Sequence, residues 1–334
     1  MNGLKYVFVC GLQRSGTTVL AHNIGKMKDC TGFENTGVVM DEGQYLQDIY
    51  PLESAFGGVG KFGFAPQAHL TEESSLLTPA NVSRLHQSWE VHWDRDKTIR
   101  VEKTPSNLLK TRFLQAAFPN AYFIVIKRHP VPVSLASQKW SQTPLHNLFE
   151  HWLRCHEIFD GDKERLTRLY EVSYEDFVRN PKKQLSAIAY FLGTEPSDSL
   201  GSEVTDVYDK QYFARWDQML RSSRFKSYYR CVARMYERKF REHGCSVAPL
   251  SPGVAFSSNG DEPIRRNVAR LLYLGADIHS VLWRAEMRLR RAAHPIVCRW
   301  YPKRVRTTLH DLSAQTHQKT SNIWTGSKKL GSHG

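Results

Sequence analysis

Apolar residues fall along this chain in two rhythms, short continuous runs and longer stretches with three- and four-residue spacing, and the two alternate. Lys5 to Cys10 reads as a strand, followed by a helix from Ser15 to about Met27. Ala121-Tyr-Phe-Ile-Val-Ile126 is apolar throughout, as a central parallel strand is when helices cover both its faces. Thr98 to Val101 and Leu169 to Val172 predict two further strands. Thr78-Pro79 pairs an N-cap residue with Pro in the first turn and predicts a helix to about Val91. Thr104-Pro105 repeats that signal for a helix ending near Pro119. Val131 to Lys139 and Leu145 to Phe159 have helical spacing, and Asn180-Pro181 caps a helix that ends at Gly193. Residues 31–75 are rich in Gly, Glu and aromatics with weak periodicity, which predicts a long insertion on the substrate side. Strands alternating with helices predict an α/β fold, a doubly wound parallel sheet with ligands at the carboxyl ends of its strands.

The pattern changes near 249–263, where Pro, Gly and Ser cluster as in a linker. Beyond it Ile264, Val268, Leu271, Gly275, Ile278, Leu282, Ala285 and Leu289 lie alternately four and three apart, with arginines around the stripe. The expected layout is therefore a main domain over 1–248, a linker, a basic helical extension over 264–306 and a disordered polar tail over 307–334. The extension either folds back onto the main domain or meets a partner helix or a membrane surface; both readings stay open.

Charge sharpens that division. The chain carries a formal +13, and residues 246–334 hold 14 Lys and Arg against 5 Asp and Glu, so most of the excess sits in the appendage. With 41% hydrophobic and 24% charged residues the composition is that of an ordinary globular protein. No apolar run approaches the roughly 18–20 residues of a membrane span. Lys5 to Cys10 flows straight into the next loop with no cleavage-type segment, so no signal peptide is expected. Six scattered cysteines without a C-x-x-C pair suit reduced thiols. The expected location is cytoplasmic, with peripheral contact at the inner membrane surface open to the basic helix.

The sharpest local feature is Phe8-Val9-Cys10-Gly11-Leu12-Gln13-Arg14-Ser15-Gly16-Thr17-Thr18, a buried strand entering a glycine-bounded loop that opens a helix. Such a loop offers backbone N–H groups at the positive end of a helix dipole to a phosphate-like anion. Gly11 and Gly16 have P-loop spacing, but Thr17 stands where that motif has Lys, so a donor other than ATP is indicated.

Three further segments fall in register with this loop: Glu102-Lys-Thr-Pro-Ser-Asn-Leu108, Lys127-Arg-His-Pro130 and Ser173-Tyr-Glu-Asp-Phe177. Over residues 4–245 the chain resembles the sulfotransferases that use 3′-phosphoadenosine 5′-phosphosulfate (PAPS). It is most similar to bacterial sulfotransferases and to the carbohydrate and tyrosylprotein branches, which also carry an Arg-Ser-Gly-Thr-Thr loop. The resemblance implies that Arg14, Ser15, Gly16, Thr17 and Thr18 wrap the 5′-phosphosulfate of PAPS, as co-substrate. It implies that Arg128 grips the 3′-phosphate with a serine eight residues on. That position is Ala136 here, so Ser137, then Ser134, is the candidate partner. Tyr174 matches the position whose ring contacts adenine.

Sulfuryl transfer needs in-line placement and charge stabilisation more than covalent chemistry by the protein. Lys103 matches a lysine of the tyrosylprotein branch and is expected beside the bridging oxygen of the donor. The acceptor hydroxyl needs a general base, for which Glu42 ranks slightly ahead of Glu34, with neither excluded. Glu175 and Asp176 are expected to cap the next helix. No metal is expected, because the central strand ends in Lys127-Arg128 where a Mg²⁺ enzyme places Asp. His129, His146, His151 and His156 read as packing residues. Trp140, Trp152, Trp216 and Tyr212 read as core residues, with an acceptor-lining role the lesser reading.

The function expected from the resemblance is transfer of a sulfuryl group from PAPS to a hydroxyl or amine, with a glycan, glycolipid or lipid-linked sugar as leading acceptor. Two alternatives stand beside it: a P-loop phosphotransferase of nucleotide-kinase type, and a non-catalytic nucleotide-binding scaffold. Nucleic acid is not expected, since aromatic residues such as Trp283, Trp300 and Tyr301 are only thinly interleaved in the basic tail.

Overall fold

The computed structural model describes residues 3–141, 143–197 and 207–249, with the backbone alone at 207 and 208. Apart from Pro249, the expected linker, basic extension and tail lie outside the described residues.

Five strands, β1 (Lys5–Gly11), β2 (Cys30–Gly32), β3 (Ile99–Lys103), β4 (Ala121–Lys127) and β5 (Leu169–Ser173), form one parallel sheet in the order β2-β3-β1-β4-β5. Among the described residues nine α-helices accompany them: α1 (Thr17–Gly25), α2 (Pro79–Glu90), α3 (Thr111–Ala117), α4 (Pro130–Ser141), α5 (Leu145–Asp162), α6 (Tyr174–Arg179), α7 (Pro181–Leu192), α8 (Val207–Arg221) and α9 (Lys226–Glu242). The two-residue period of a strand sends alternate side chains to opposite faces. Val7, Val9, Ile124 and Ile126 pack with Leu20 and Ile24 of α1 and with Leu185 and Ile188 of α7. Tyr6, Phe8, Phe123 and Val125 face the other way, onto Trp89 of α2, Phe113 of α3 and Phe149 and Trp152 of α5. Two cores thus sandwich one sheet, which explains why β1 and β4 are apolar throughout.

The chain leaves β1 for β2 and β3 on one side and reaches β4 and β5 on the other. The end of β1 is therefore where the strand order reverses, the place where open parallel sheets bind ligands. Register aligns Val9 with Lys103, Gly11 with Ile126 and Lys127 with Ser173, so four strand ends share one edge.

Local expectations differ from the structure in four places. The three-residue β2 lies inside the weakly periodic segment and forms because it pairs with Ile99–Val101, a non-local contact. Thr104 does not cap a helix: its hydroxyl donates to Glu102 Oε1 at 2.5 Å and accepts from Gln44 N at 3.2 Å. The expected single helix is instead a 3-10 turn, Pro105–Leu109, followed by α3. Asn180 holds the N-cap position of α7 without a side-chain bond, while Pro181 and the left-handed Gly193 bound the helix as expected. Ser173, not Glu175 or Asp176, caps α6, accepting from Asp176 N at 3.2 Å.

The insertion over residues 31–75 folds mostly as short 3-10 turns. Ile49, Tyr50, Phe56, Phe62, Ala65 and Ala68 are buried in the same core as α2, α3 and α5. That burial anchors the segment over the carboxyl edge of the sheet.

Candidate active site

The loop after β1 is shaped by steric exclusion. A Cβ on Gly11 would lie 2.5 Å from the carbonyl oxygen of Ile126. Gly16 has φ 93°, and a Cβ there would lie 2.6 Å from the Tyr174 ring. Between them Arg14 takes φ 69°, a conformation unusual for a residue with a side chain and the kind of local strain that gathers at binding sites. No side chain caps α1, so its first N–H groups point at the loop without a protein cap. Ser15 Oγ is buried and has no hydrogen-bond partner among the described residues, as expected of a donor or acceptor awaiting a ligand. Thr17 is buried and Thr18 exposed, and Arg14 is exposed with its guanidinium 5.8 Å from the Trp140 ring.

Lys103 ends β3 beside this loop. It is buried, and its Nζ donates to the Met40 carbonyl at 2.8 Å and to Glu42 Oε1 at 3.2 Å. Glu42 Oε2 accepts from Gln44 Nε2 at 2.7 Å. The loop that delivers Glu42 is tightly specified. Met40 and Asp41 both have positive φ, and Asp41 Oδ1 takes the Thr36 N–H at 2.8 Å to hold that turn. Gly43 is required next, because a Cβ would lie 2.5 Å from Glu102 Oε1; its N–H donates to that oxygen at 3.0 Å. Trp89 Nε1 donates to the Gly43 carbonyl at 2.9 Å from the opposite side. Glu34 is placed differently, at 63% side-chain exposure with His22 Nδ1 3.8 Å away, and no hydrogen bond joins it to Lys103. Of the two candidate bases, the fold brings only Glu42 to the lysine.

Beneath this pair lies a buried polar layer that sequence reading missed. Burial holds the Glu102 carboxyl up at about 7, although Thr104 and Gly43 donate to it. Burial, and then Glu42 nearby, raise the Glu53 carboxyl, while burial lowers Lys110. Glu53 accepts from Gln13 Nε2 of the first loop, and its own N–H donates to Gln44 Oε1 at 3.2 Å. One signal could have found part of it: Arg100, Glu102 and Lys103 are charged residues inside a strand buried at every position.

Arg128 directly follows β4 and is almost wholly covered. Its guanidinium lies 4.1 Å from the centroid of the Tyr174 ring. Nη1 donates to the Arg14 carbonyl, and Nε and Nη2 donate to Asp209 Oδ1 on α8. Asp209 carries no motif that would have flagged it, being 81 residues from Arg128. Glu175 accepts from the His129 N–H at 2.9 Å and so fixes the turn after β4. Ser134 and Ser137 are buried on α4 and line a small pocket with Leu12, Gln13, Gly60 and His151. Ser134 Oγ has no hydrogen-bond partner among the described residues, and no hydrogen bond joins either serine to Arg128.

Of the histidines expected to be packing residues, His146, His151 and His156 are buried and His129 is half-buried. Burial lowers His129 to about 4 and His151 and His156 to about 3, so they are neutral near pH 7. Trp152 and Trp216 are core residues, whereas Trp140 is exposed at the mouth of the loop. Among the described residues no helix is long and apolar enough to cross a membrane.

The glycine-bounded loop at the switch point, the paired lysine and carboxylate, and the arginine on an aromatic ring after β4 thus lie along one edge of the sheet. The model of the sulfotransferase family matches residues 7–198, more than half of the chain. The chain belongs to the sulfotransferase family and is a sulfotransferase. No curated protein matches it. Solved structures similar to it include sulfotransferase STF1 of Mycobacterium tuberculosis H37Rv, at 17% identity and TM-score 0.37 over 63% of this chain and 70% of that one. Sulfotransferase STF9 of Mycobacterium avium is 15% identical at TM-score 0.40, over 64% of this chain and 69% of that one. A sulfotransferase of Alicyclobacillus acidocaldarius is 15% identical at TM-score 0.36, over 63% of this chain and 90% of that one. At these values the assignment rests on the family match.

Proposed function

We propose that the protein transfers a sulfuryl group from PAPS to a hydroxyl or amine of an acceptor, with a glycan, glycolipid or lipid-linked sugar as first choice. The observation that carries the reading is the Lys103–Glu42 pair beside an anion loop that has Thr17 where ATP-binding loops have Lys. The residues suit such a donor: Ser15 Oγ is buried without a partner, α1 lacks a side-chain cap, and Gly16 keeps a cradle that a Cβ would close.

PAPS when bound supplies an activated sulfuryl group on a phosphate leaving group. Arg14 to Thr18 would hold its charged 5′ end through backbone N–H groups and hydroxyls. Arg128 would hold the 3′-phosphate, and Tyr174, already packed on Gly16 and Arg128, would lie against the purine. Neither Ser137 nor Ser134 has a contact with Arg128 that would name the second 3′-phosphate ligand. Lys103 would place a cation where the leaving oxygen gains charge. Glu42 would take the proton of the acceptor hydroxyl, with Gln44 orienting its second oxygen. Exposed Trp140 beside Arg14 offers a flat surface for the apolar face of a sugar ring, which favours a glycan acceptor.

Calorimetry against 3′-phosphoadenosine 5′-phosphate (PAP) and ATP tests the donor; binding of ATP alone would overturn the proposal and favour a phosphotransferase. Incubating the protein with labelled PAPS and an extract of its source organism, then identifying the sulfated product, tests the acceptor.

A further inference from the structure

An arginine that grips a phosphate with two parallel bonds needs its fork open, and the fork of Arg128 is taken. The residue is 6% exposed. Its Nε and Nη2 edge, the fork that suits a two-oxygen partner, is occupied by Asp209 Oδ1. Nη1 is taken by the Arg14 carbonyl, and one face lies against Tyr174. An anion that takes the Nε–Nη2 fork, the Nη1 bond or that face must therefore displace one of three neighbours.

Two of the three are parts of the pocket. The Arg14 carbonyl belongs to the loop backbone, and Tyr174 is packed against Gly16. Asp209 is a short side chain in the first turn of a separate helix, itself 8% exposed. That helix does not depend on the ion pair for its position. Trp216 and Leu220 are buried in the core, Trp216 Nε1 donates to the Val247 carbonyl at 2.9 Å, and Phe213 packs on His129 with ring centroids 4.8 Å apart. Charge points the same way. Asp209 feels Glu175 as well as Arg128, so an incoming dianion would meet two carboxylates if Asp209 stayed. A phosphate brings more charge and more acceptor oxygens than the carboxylate it replaces, and Arg128 stays paired throughout.

Resting on the donor reading above, we propose that Asp209 stands in for the donor's 3′-phosphate on Arg128 and yields to it. Asp209 thereby sets how strongly the protein selects a 3′-phosphorylated nucleotide. The closed pair lowers apparent affinity by the fraction of molecules in which Arg128 is open, so removing the competing charge raises affinity for any ligand that uses Arg128.

Titration of the full chain with PAP and with adenosine 5′-phosphate, which lacks the 3′-phosphate, tests this. Asp209→Asn should bind PAP about tenfold more tightly while adenosine 5′-phosphate binds as before. Asp209→Glu keeps the charge and should hold PAP affinity at the wild-type value, which also guards against an Asn variant that fails to fold. Weaker or unchanged PAP binding in Asp209→Asn would show that Asp209 positions Arg128 rather than competing with the phosphate. Equal tightening of both nucleotides would reduce the effect to long-range charge and overturn the proposal. Failure of the wild-type protein to bind PAP at all would bring down the donor reading, and this proposal with it.

Discussion

Lys103 Nζ lies 3.2 Å from Glu42 Oε1, joining the end of β3 to a loop residue 61 positions earlier in the chain. The same ammonium holds the Met40 carbonyl at 2.8 Å, so it is both a charge at the site and a clamp on the loop that carries the carboxylate.

Lys103→Ala removes the cation from the leaving-group side. Turnover of labelled PAPS with source extract should fall roughly 100- to 1,000-fold, the range seen when one electrostatic contact to a developing charge is lost. PAP binding, measured by calorimetry, should change far less because the loop after β1 is intact. Full turnover in this variant would remove Lys103 from the reaction.

Glu42→Gln and Glu34→Gln separate the two candidate bases. The Glu42 variant should lose about 100-fold or more in sulfated product formation, while Glu34→Gln should retain wild-type turnover. The reverse result would move the base to the exposed carboxylate beside His22.

Trp89→Phe keeps the ring packing of α2 on β1 but leaves the Gly43 carbonyl without its indole donor. That carbonyl keeps the Leu46 N–H at 3.1 Å, so the loss is one net hydrogen bond, about 0.5–1.5 kcal/mol, visible as a lower unfolding temperature. Turnover should fall as well, since Gly43 follows Glu42 directly. A stability loss with unchanged turnover would show that the loop holds Glu42 without this bond.

Glu102 gives a pH dependence with a definite sign. Burial holds its folded value at about 7, above the ordinary 4.5, so folding favours the protonated carboxyl. Its contribution is complete below about pH 4.5 and is lost as pH rises through 7. Thermal unfolding from about pH 5 to pH 8 should therefore show a decline that Glu102→Gln flattens, by at most about 3 kcal/mol. Parallel slopes for the two proteins would show that Glu102 is not the group responsible.

Much of the architecture is legible in short stretches of sequence. The apolar runs at Lys5–Cys10 and Ala121–Ile126 are central strands because both sheet faces are covered, a condition that leaves no polar alternation. Thr78-Pro79 caps α2 as read, with Thr78 Oγ1 accepting from Asn81 N at 3.2 Å. Thr104-Pro105 has the same local signal and a different outcome, because the Thr104 hydroxyl is drawn to a buried carboxylate only two residues away. A cap is a local bond, and a stronger neighbour can take it.

The chain's own order of residues determined the strand-loop-helix around Gly11 and Gly16, the alternation that makes a parallel sheet, and the arrival of Arg128 and Tyr174 at strand ends. Those follow from period, propensity and steric limits acting over a few residues. Tertiary structure decided which carboxylate meets Lys103, that Glu53, Glu102 and Lys110 share a buried layer, and that Asp209 covers Arg128. Each of these is a contact between segments far apart in sequence. Its energy depends on burial and on the direction of a side chain, and neither exists until the sheet has brought the strand ends to one edge.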